Sequence, residues 1–214
     1  SSDDLDLLAA WRDGDTSAGQ VLFRRHFESV YRFFCNKVGG DVDDLVQETF
    51  LGCVRSRDSF REAASFRTFL FAIARYKLLA YRDRWRRAHD GGDFEVSRIA
   101  GLEASPSQMA VEHQEQELLL RGLRRLPLEL QIALELYYWE GFRSADIAVV
   151  LDIPHGTARS RLRRAKERLR EVIEQLAESP ELGRSTTADL ERWLRSMQAQ
   201  VQAHAPSVVE SSSG

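Results

Sequence analysis

The stretch Ser144-Ala-Asp-Ile-Ala-Val-Val-Leu-Asp-Ile-Pro-His-Gly-Thr-Ala-Arg-Ser-Arg-Leu-Arg-Arg-Ala-Lys-Glu-Arg-Leu-Arg170 decides the fold. Ala158, Leu162, Ala165 and Leu169, continued by Val172 and Leu176, recur at steps of four and three and make one apolar stripe on a helix. The rest of that helix carries Arg159, Ser160, Arg163, Arg164 and Lys166, and seven of the twelve residues 159–170 are Arg or Lys against a single acid, Glu167. Ahead of it, residues 144–151 read as a short helix capped by Ser144, and residues 152–155 as a turn. A short helix, a tight turn and a basic second helix make a helix-turn-helix, whose second helix enters the major groove by its N-terminal residues. Arginine suits that task because its fork bonds guanine O6 and N7 together or grips a phosphate. The plainer alternative is a solvated basic face, but the turn spacing and the charges in the first two turns favour DNA.

Outward from this stretch the pattern stays helical, so the fold class is all-α. Toward the N-terminus the spacing predicts helices over 3–12, 17–38, 41–57 with Asp41 as cap, and 66–87. Periodicity dissolves over 88–107, where Gly91, Gly92, Gly101 and Pro106 punctuate a polar, acidic stretch that reads as a flexible linker. It resumes over 108–126, and Pro127 fits the first turn of a helix ending at Glu140. Beyond Pro180, Thr187 can cap a helix whose Leu190, Trp193, Leu194, Met197 and Val201 form one stripe. A helix of that length is marginal alone, so the stripe requires a surface to bury it. The expected organisation is a first domain over 1–87, a linker over 88–107, a helix-turn-helix domain over 108–178 and a C-terminal extension over 179–214, a candidate regulator.

Composition narrows the function. The 214 residues are 43% hydrophobic, which excludes wholesale disorder. No apolar run approaches the roughly 18 residues of a membrane span and Ser1-Ser-Asp-Asp4 is not a signal peptide, so the expectation is a cytoplasmic protein without membrane insertion. The cysteines, Cys35 and Cys53, form no disulfide framework, and with no CxxC and five scattered histidines no metal site is expected. No Gly-rich phosphate loop or nucleophile constellation points to an enzyme, and no cofactor is called for. The net charge of −3 hides strong segregation: four of the six residues 82–87 are Arg, while residues 90–117 hold seven acids and one base. Two basic blocks separated by an acidic one suggest a polyanion held at two places.

Residues 140–169 resemble region 4 of a bacterial sigma factor, more narrowly the extracytoplasmic-function group of the sigma-70 family. The core of the match is Ile153-Pro-His-Gly-Thr-Ala-Arg-Ser-Arg-Leu162 with Arg164-Ala-Lys166. That family usually has Gly where Asp152 stands, and Asp tolerates the left-handed backbone such a turn needs. An independent match lies in the first half: Asp41-Val-Asp-Asp-Leu-Val-Gln-Glu-Thr-Phe-Leu51 is similar to the region 2 helix that docks on the polymerase β′ subunit, and Ser65-Phe-Arg-Thr-Phe-Leu-Phe-Ala-Ile-Ala-Arg75 resembles the segment after it. The resemblance covers about residues 17–176.

It implies a sigma factor that brings bacterial RNA polymerase core (β and β′ subunits) to promoter DNA, with an anti-sigma factor as a candidate partner. Core polymerase would dock on Asp43, Asp44, Gln47, Glu48 and Leu51. The residues agree: at about 100° per residue Val42, Leu45, Val46, Thr49, Phe50 and Cys53 share one face, while Leu51 and Val54 fall among the acids, an apolar centre in a polar rim. The resemblance further implies that the loop before residue 66 captures a flipped −10 base and that the helix after it holds the strand, through Ser59, Phe60, Arg61, Arg67, Arg75, Lys77 and Arg82. Unstacked bases need aromatic walls and cations, and this segment interleaves both, although Phe66, Phe69 and Ile73 share the spacing of a core face. The −35 element falls to Thr157, Arg159, Ser160, Arg163 and Arg164, and the acids Asp90, Asp93, Glu95 and Glu103 would sit in a basic channel. Tyr76 departs from the Asn common in the family. The alternative, a helix-turn-helix activator, would lack the docking helix and bind its operator unaided.

Overall fold

The computed structural model describes residues 2–38, 40–60, 64–88 and 109–203. The linker acids Asp90, Asp93, Glu95 and Glu103 and the loop residue Arg61 lie outside them. Among the described residues the chain forms ten α-helices and one 3-10 turn: α1 Ser2–Arg12, α2 Thr16–Cys35, α3 Val42–Ser56, the turn Arg57–Ser59, α4 Phe66–Ala88, α5 Met109–Arg124, α6 Leu128–Tyr138, α7 Ser144–Leu151, α8 His155–Leu176, α9 Pro180–Ala188 and α10 Leu190–Ala203.

In the first half α1 lies on α2 and burial of Leu8 and Trp11 holds it there. Gly14 turns the chain at φ +107° and the Asp15 carboxylate caps α2, accepting from the Ser17 and Ala18 amides at 2.9 and 3.3 Å. Gly19 is needed for this contact, since a Cβ there would stand 2.7 Å from the Trp11 ring nitrogen. Leu45, Val46, Thr49, Phe50 and Cys53 of α3 are buried against α2 and α4, as their spacing predicts. Asp41 is not a side-chain cap: it sits at φ +56° with no capping bond, and its carboxylate engages Tyr81 of α4 instead.

The second half stacks α5, α6 and α8 around Leu119, Leu123, Leu134, Ala165, Leu169 and Ile173, while Ile147, Ala148, Val150 and Leu151 of α7 are buried in a separate cluster with the first half. The turn between α7 and α8 closes through Asp152 at φ +51°, the left-handed conformation expected there, and the Ile153 amide donates to the Ala148 carbonyl at 3.0 Å. Ser144 is not the cap of α7. Asp146 reaches back to the Arg143 amide at 3.2 Å, and the Ser144 hydroxyl lies 2.8 Å from His155 Nε2 across the turn.

The extension starts earlier than Thr187 suggests. Ser179 accepts from the Leu182 amide and Pro180 opens α9, while the Thr187 hydroxyl donates to the Gly183 carbonyl within its last turn. A second helix, α10, then begins at Leu190. Its Leu190, Trp193 and Leu194 are buried on the second half's core, and Trp139 Nε1 donates to the Leu194 carbonyl at 2.8 Å. The side chains of Met197 and Val201 lie outside the described ones.

The two halves pack on one another, α4 lying along α7 within a shared apolar cluster that includes Phe71 and Phe142. The second helix stops at Cys35, three residues short of the sequence expectation, because Asn36 and Lys37 turn into this contact. Lys37 ion-pairs with Glu135 and also donates to the Phe33 carbonyl, and Asn36 Nδ2 donates to Glu135 Oε1 at 3.0 Å. No described helix is long and apolar enough to cross a membrane.

Candidate polymerase and nucleic-acid interfaces

Helix α3 presents a distinct outer face. Asp43, Asp44 and Gln47 are exposed beside Leu51 and Val54, which are 44% and 39% accessible. The opposite face of the same helix is packed, and these apolar groups belong to no core among the described residues. Glu48, half-buried, meets Lys77 and Arg84 of α4 at 3.3 and 3.9 Å. Beneath this pair a recess of about 310 Å³ opens between α3 and α4, walled by Tyr81 and Trp85.

The start of α8 is the second surface. Thr157, Arg159, Ser160, Arg163 and Arg164 all face solvent, while Ala158, Ala165 and Leu169 are buried behind them. Arg161, in the same run, points the other way and donates to Glu129 Oε2 at 2.9 Å. A shallow recess of about 250 Å³ adjoins Arg159, Arg163 and Lys166, with Tyr137 exposed on its rim and Tyr138 at its wall. Burial and then Glu191 push the Tyr138 hydroxyl's pKa well up, keeping it neutral. The exposure of Tyr137 was not legible, since it falls within an apolar run.

The third set divides. Ser59 is exposed, its hydroxyl donating to the Ser56 carbonyl at 2.8 Å. Phe60 is only 8% accessible: its ring lies 4.7 Å from Phe69 and its carbonyl accepts from Arg12 at 2.7 Å. Phe66 is core, as its spacing predicts. On α4, Arg67 and Arg75 face the second half, Lys77 faces α3, Arg82 is half-buried and Tyr76 stands out into solvent. The sequence did not reveal which carboxylates meet these cations. For Arg67 and Arg75 they come from the second half, Glu140 just past the end of α6 and Glu129 in its first turn.

Comparison with known proteins agrees with this layout. The family model Sigma-70 region 2 matches residues 22–89 and the model Sigma-70, region 4 matches residues 116–169. An ECF RNA polymerase sigma-E factor of Haemophilus influenzae is 31% identical over 179 residues, spanning 79% of this chain and 95% of the relative. One of Salmonella typhimurium is 29% identical over 179 residues, spanning 79% and 94%. The solved structure of the sigma factor RpoE with the anti-sigma factor NepR from Bartonella quintana shares the fold, at a TM-score of 0.57 and 23% identity over 72% of this chain and 96% of that one. With both regions matched in order and a relative above 30% identity along nearly its whole length, the chain belongs to the extracytoplasmic-function group of the sigma-70 family.

Proposed function

We propose that the chain acts in the cytoplasm as a promoter-directing subunit of bacterial RNA polymerase, without covalent chemistry of its own. Core polymerase docks on Asp43, Asp44, Gln47, Glu48 and Leu51 of α3. The observation that carries this is the exposed pair Leu51 and Val54 inside an acidic rim, on a helix whose other face is completely packed. An apolar centre with a polar rim is the anatomy of a protein interface, and a stand-alone activator has no use for it. Thr157, Arg159, Ser160, Arg163 and Arg164 read the −35 element, their solvent-facing ring at the start of α8 supporting groove entry. Ser59, Arg61, Arg67, Arg75, Lys77 and Arg82 serve the −10 strand, and Phe60 supplies a wall of the loop rather than a free stacking platform.

The chain is divided as region 2 over 1–87, a linker over 88–107, region 4 over 108–178 and an extension over 179–214, a candidate regulator whose helices α9 and α10 pack on region 4. An anti-sigma factor, as in the solved relative with NepR, is a fitting partner for the same α3 face.

Run-off transcription tests the whole reading. Core polymerase with the chain should give discrete transcripts whose start sites share two upstream elements, and core alone should not. Specific duplex binding by the chain alone, with no core-dependent transcript, would instead favour the activator alternative.

A further inference from the structure

The C-terminal extension reaches the rim of the −35 surface through one side chain. On α8, Arg159, Arg163 and Lys166 follow at steps of four and three, so they share one face, and together they line the recess of about 250 Å³. Arg159 is exposed, and Arg163 has a loose partner on its own helix, Glu167, at 4.0 Å. Lys166 is tied from outside the helix: its Nζ donates to Glu191 Oε1 of α10 at 3.2 Å. Glu191 stands in the first turn of α10, where an acid also suits the helix dipole. Its place is fixed by packing. Leu190, Trp193 and Leu194 around it are buried on region 4, and Trp139 Nε1 donates to the Leu194 carbonyl at 2.8 Å. The hydrogen bond from Lys166 lowers the Glu191 pKa, so the carboxylate is ionised at neutral pH. The side chain is 45% exposed, which keeps its charge within reach of a strand at the recess.

We infer that Glu191 is a counter-charge built into the −35 surface: it holds Lys166 off the phosphate backbone and lowers the affinity of region 4 for DNA of any sequence. This rests on the promoter-directing function proposed above, and it assigns a role to a residue outside both matched regions. Lysine grips phosphate as a point charge, and each phosphate neutralised releases counterions. A lysine committed to a carboxylate therefore withdraws one phosphate contact together with its salt dependence. The hydrogen bond need not be strong for this. Both partners are fixed beside the recess, so an approaching strand meets a neutral pair where Lys166 alone would offer a cation. Arg159 and Arg163 keep their donors for base edges. The device thus sets how tightly the surface holds DNA and leaves unchanged which sequence it prefers.

The test measures equilibrium binding of the full chain, assembled with core polymerase, to a labelled promoter duplex mapped by run-off transcription and to the same duplex with its −35 element scrambled, between about 50 and 200 mM salt. Wild type is compared with Glu191→Gln, with Lys166→Gln, with the two combined, and with Glu181→Gln, which removes the same charge from the exposed Glu181–Arg184 pair of α9. Glu191→Gln should steepen the slope of log affinity against log salt by about 0.9, so that its advantage over wild type grows about three- to fourfold as salt falls fourfold. The gain should be equal on the two duplexes, because a phosphate contact carries no sequence information. Adding Lys166→Gln should restore the wild-type slope, and Glu181→Gln should leave it unchanged. An unchanged slope or weaker binding in Glu191→Gln overturns the proposal, as does a gain that Lys166→Gln leaves in place or that Glu181→Gln reproduces. Where Glu191→Gln does not fold, Lys166→Gln alone decides: it should keep the wild-type slope, and a slope shallower by about 0.9 overturns the proposal. A wild-type chain that gives core polymerase no preference for the intact duplex overturns the functional assignment on which the proposal rests.

Discussion

At the scale of single residues, neighbours in sequence part company in role. Arg159 and Arg163 reach solvent from the second and third turns of α8, while Arg161 between them is drawn inward by Glu129. Arg163→Ala should cost about 1–3 kcal/mol in promoter binding and relax preference at one base pair, measured by binding to a panel of −35 variants. A loss uniform across the panel would mark a phosphate contact. Arg161→Ala should leave base preference unchanged. His26 gives a pH signature. Burial lowers its pKa from 6.5, helped by Arg67 and Arg25 and opposed by Asp4, whose carboxylate lies 2.9 Å away. The unfolded chain therefore binds the extra proton first, and stability falls as pH drops through 6.5. Thermal melts should show wild type losing more stability between about pH 7 and 5 than His26→Gln does. Burial pushes the Cys53 thiol up to about 12, so in the folded chain it should not react with a maleimide. The apolar helix context of that cysteine was legible in sequence. The inward turn of Arg161, Asn36 and Lys37 was not, because it depends on acids about 30 and 100 positions away.

At the scale of elements, helical periodicity located most of the helices, and capping chemistry was the weaker guide. Asp41, Ser144 and Thr187 each look like N-caps, yet each side chain has a partner elsewhere: Tyr81, His155 and the Gly183 carbonyl. Competing hydrogen bonds of short polar side chains decide such positions, and sequence spacing does not reveal them. The apolar stripe of the extension was legible as needing a surface, and Leu190, Trp193 and Leu194 find it on region 4. Trp193→Ser with Leu194→Ser should destabilise the chain by several kcal/mol, since two large buried side chains are lost from one cluster. A thermal melt checks this, and an unchanged midpoint would place the extension off the core. Gly19→Ala should loosen α1 by about 1–3 kcal/mol, because the added methyl meets the Trp11 ring.

At the scale of the whole molecule, charge segregation announced a protein that holds a polyanion at two places, and the matched regions lie in the order this requires. What no local pattern announced is that the basic face of one half closes on acids of the other. Glu129, Glu135 and Glu140 carry no role in the sequence reading, and the structure sets Arg75, Lys37, Arg32 and Arg67 opposite them. Long-range ion pairing of this kind leaves no periodic trace in sequence. The central claim is that this chain works as a subunit of RNA polymerase, docked through α3. Co-purification of Leu51→Arg with core polymerase tests it most directly, because Leu51 is solvent-exposed and its replacement leaves the packed face of the helix untouched. The account predicts that the variant keeps a native helical spectrum and melting temperature and no longer co-purifies with core. A natively folded Leu51→Arg chain that binds core as wild type does would contradict it.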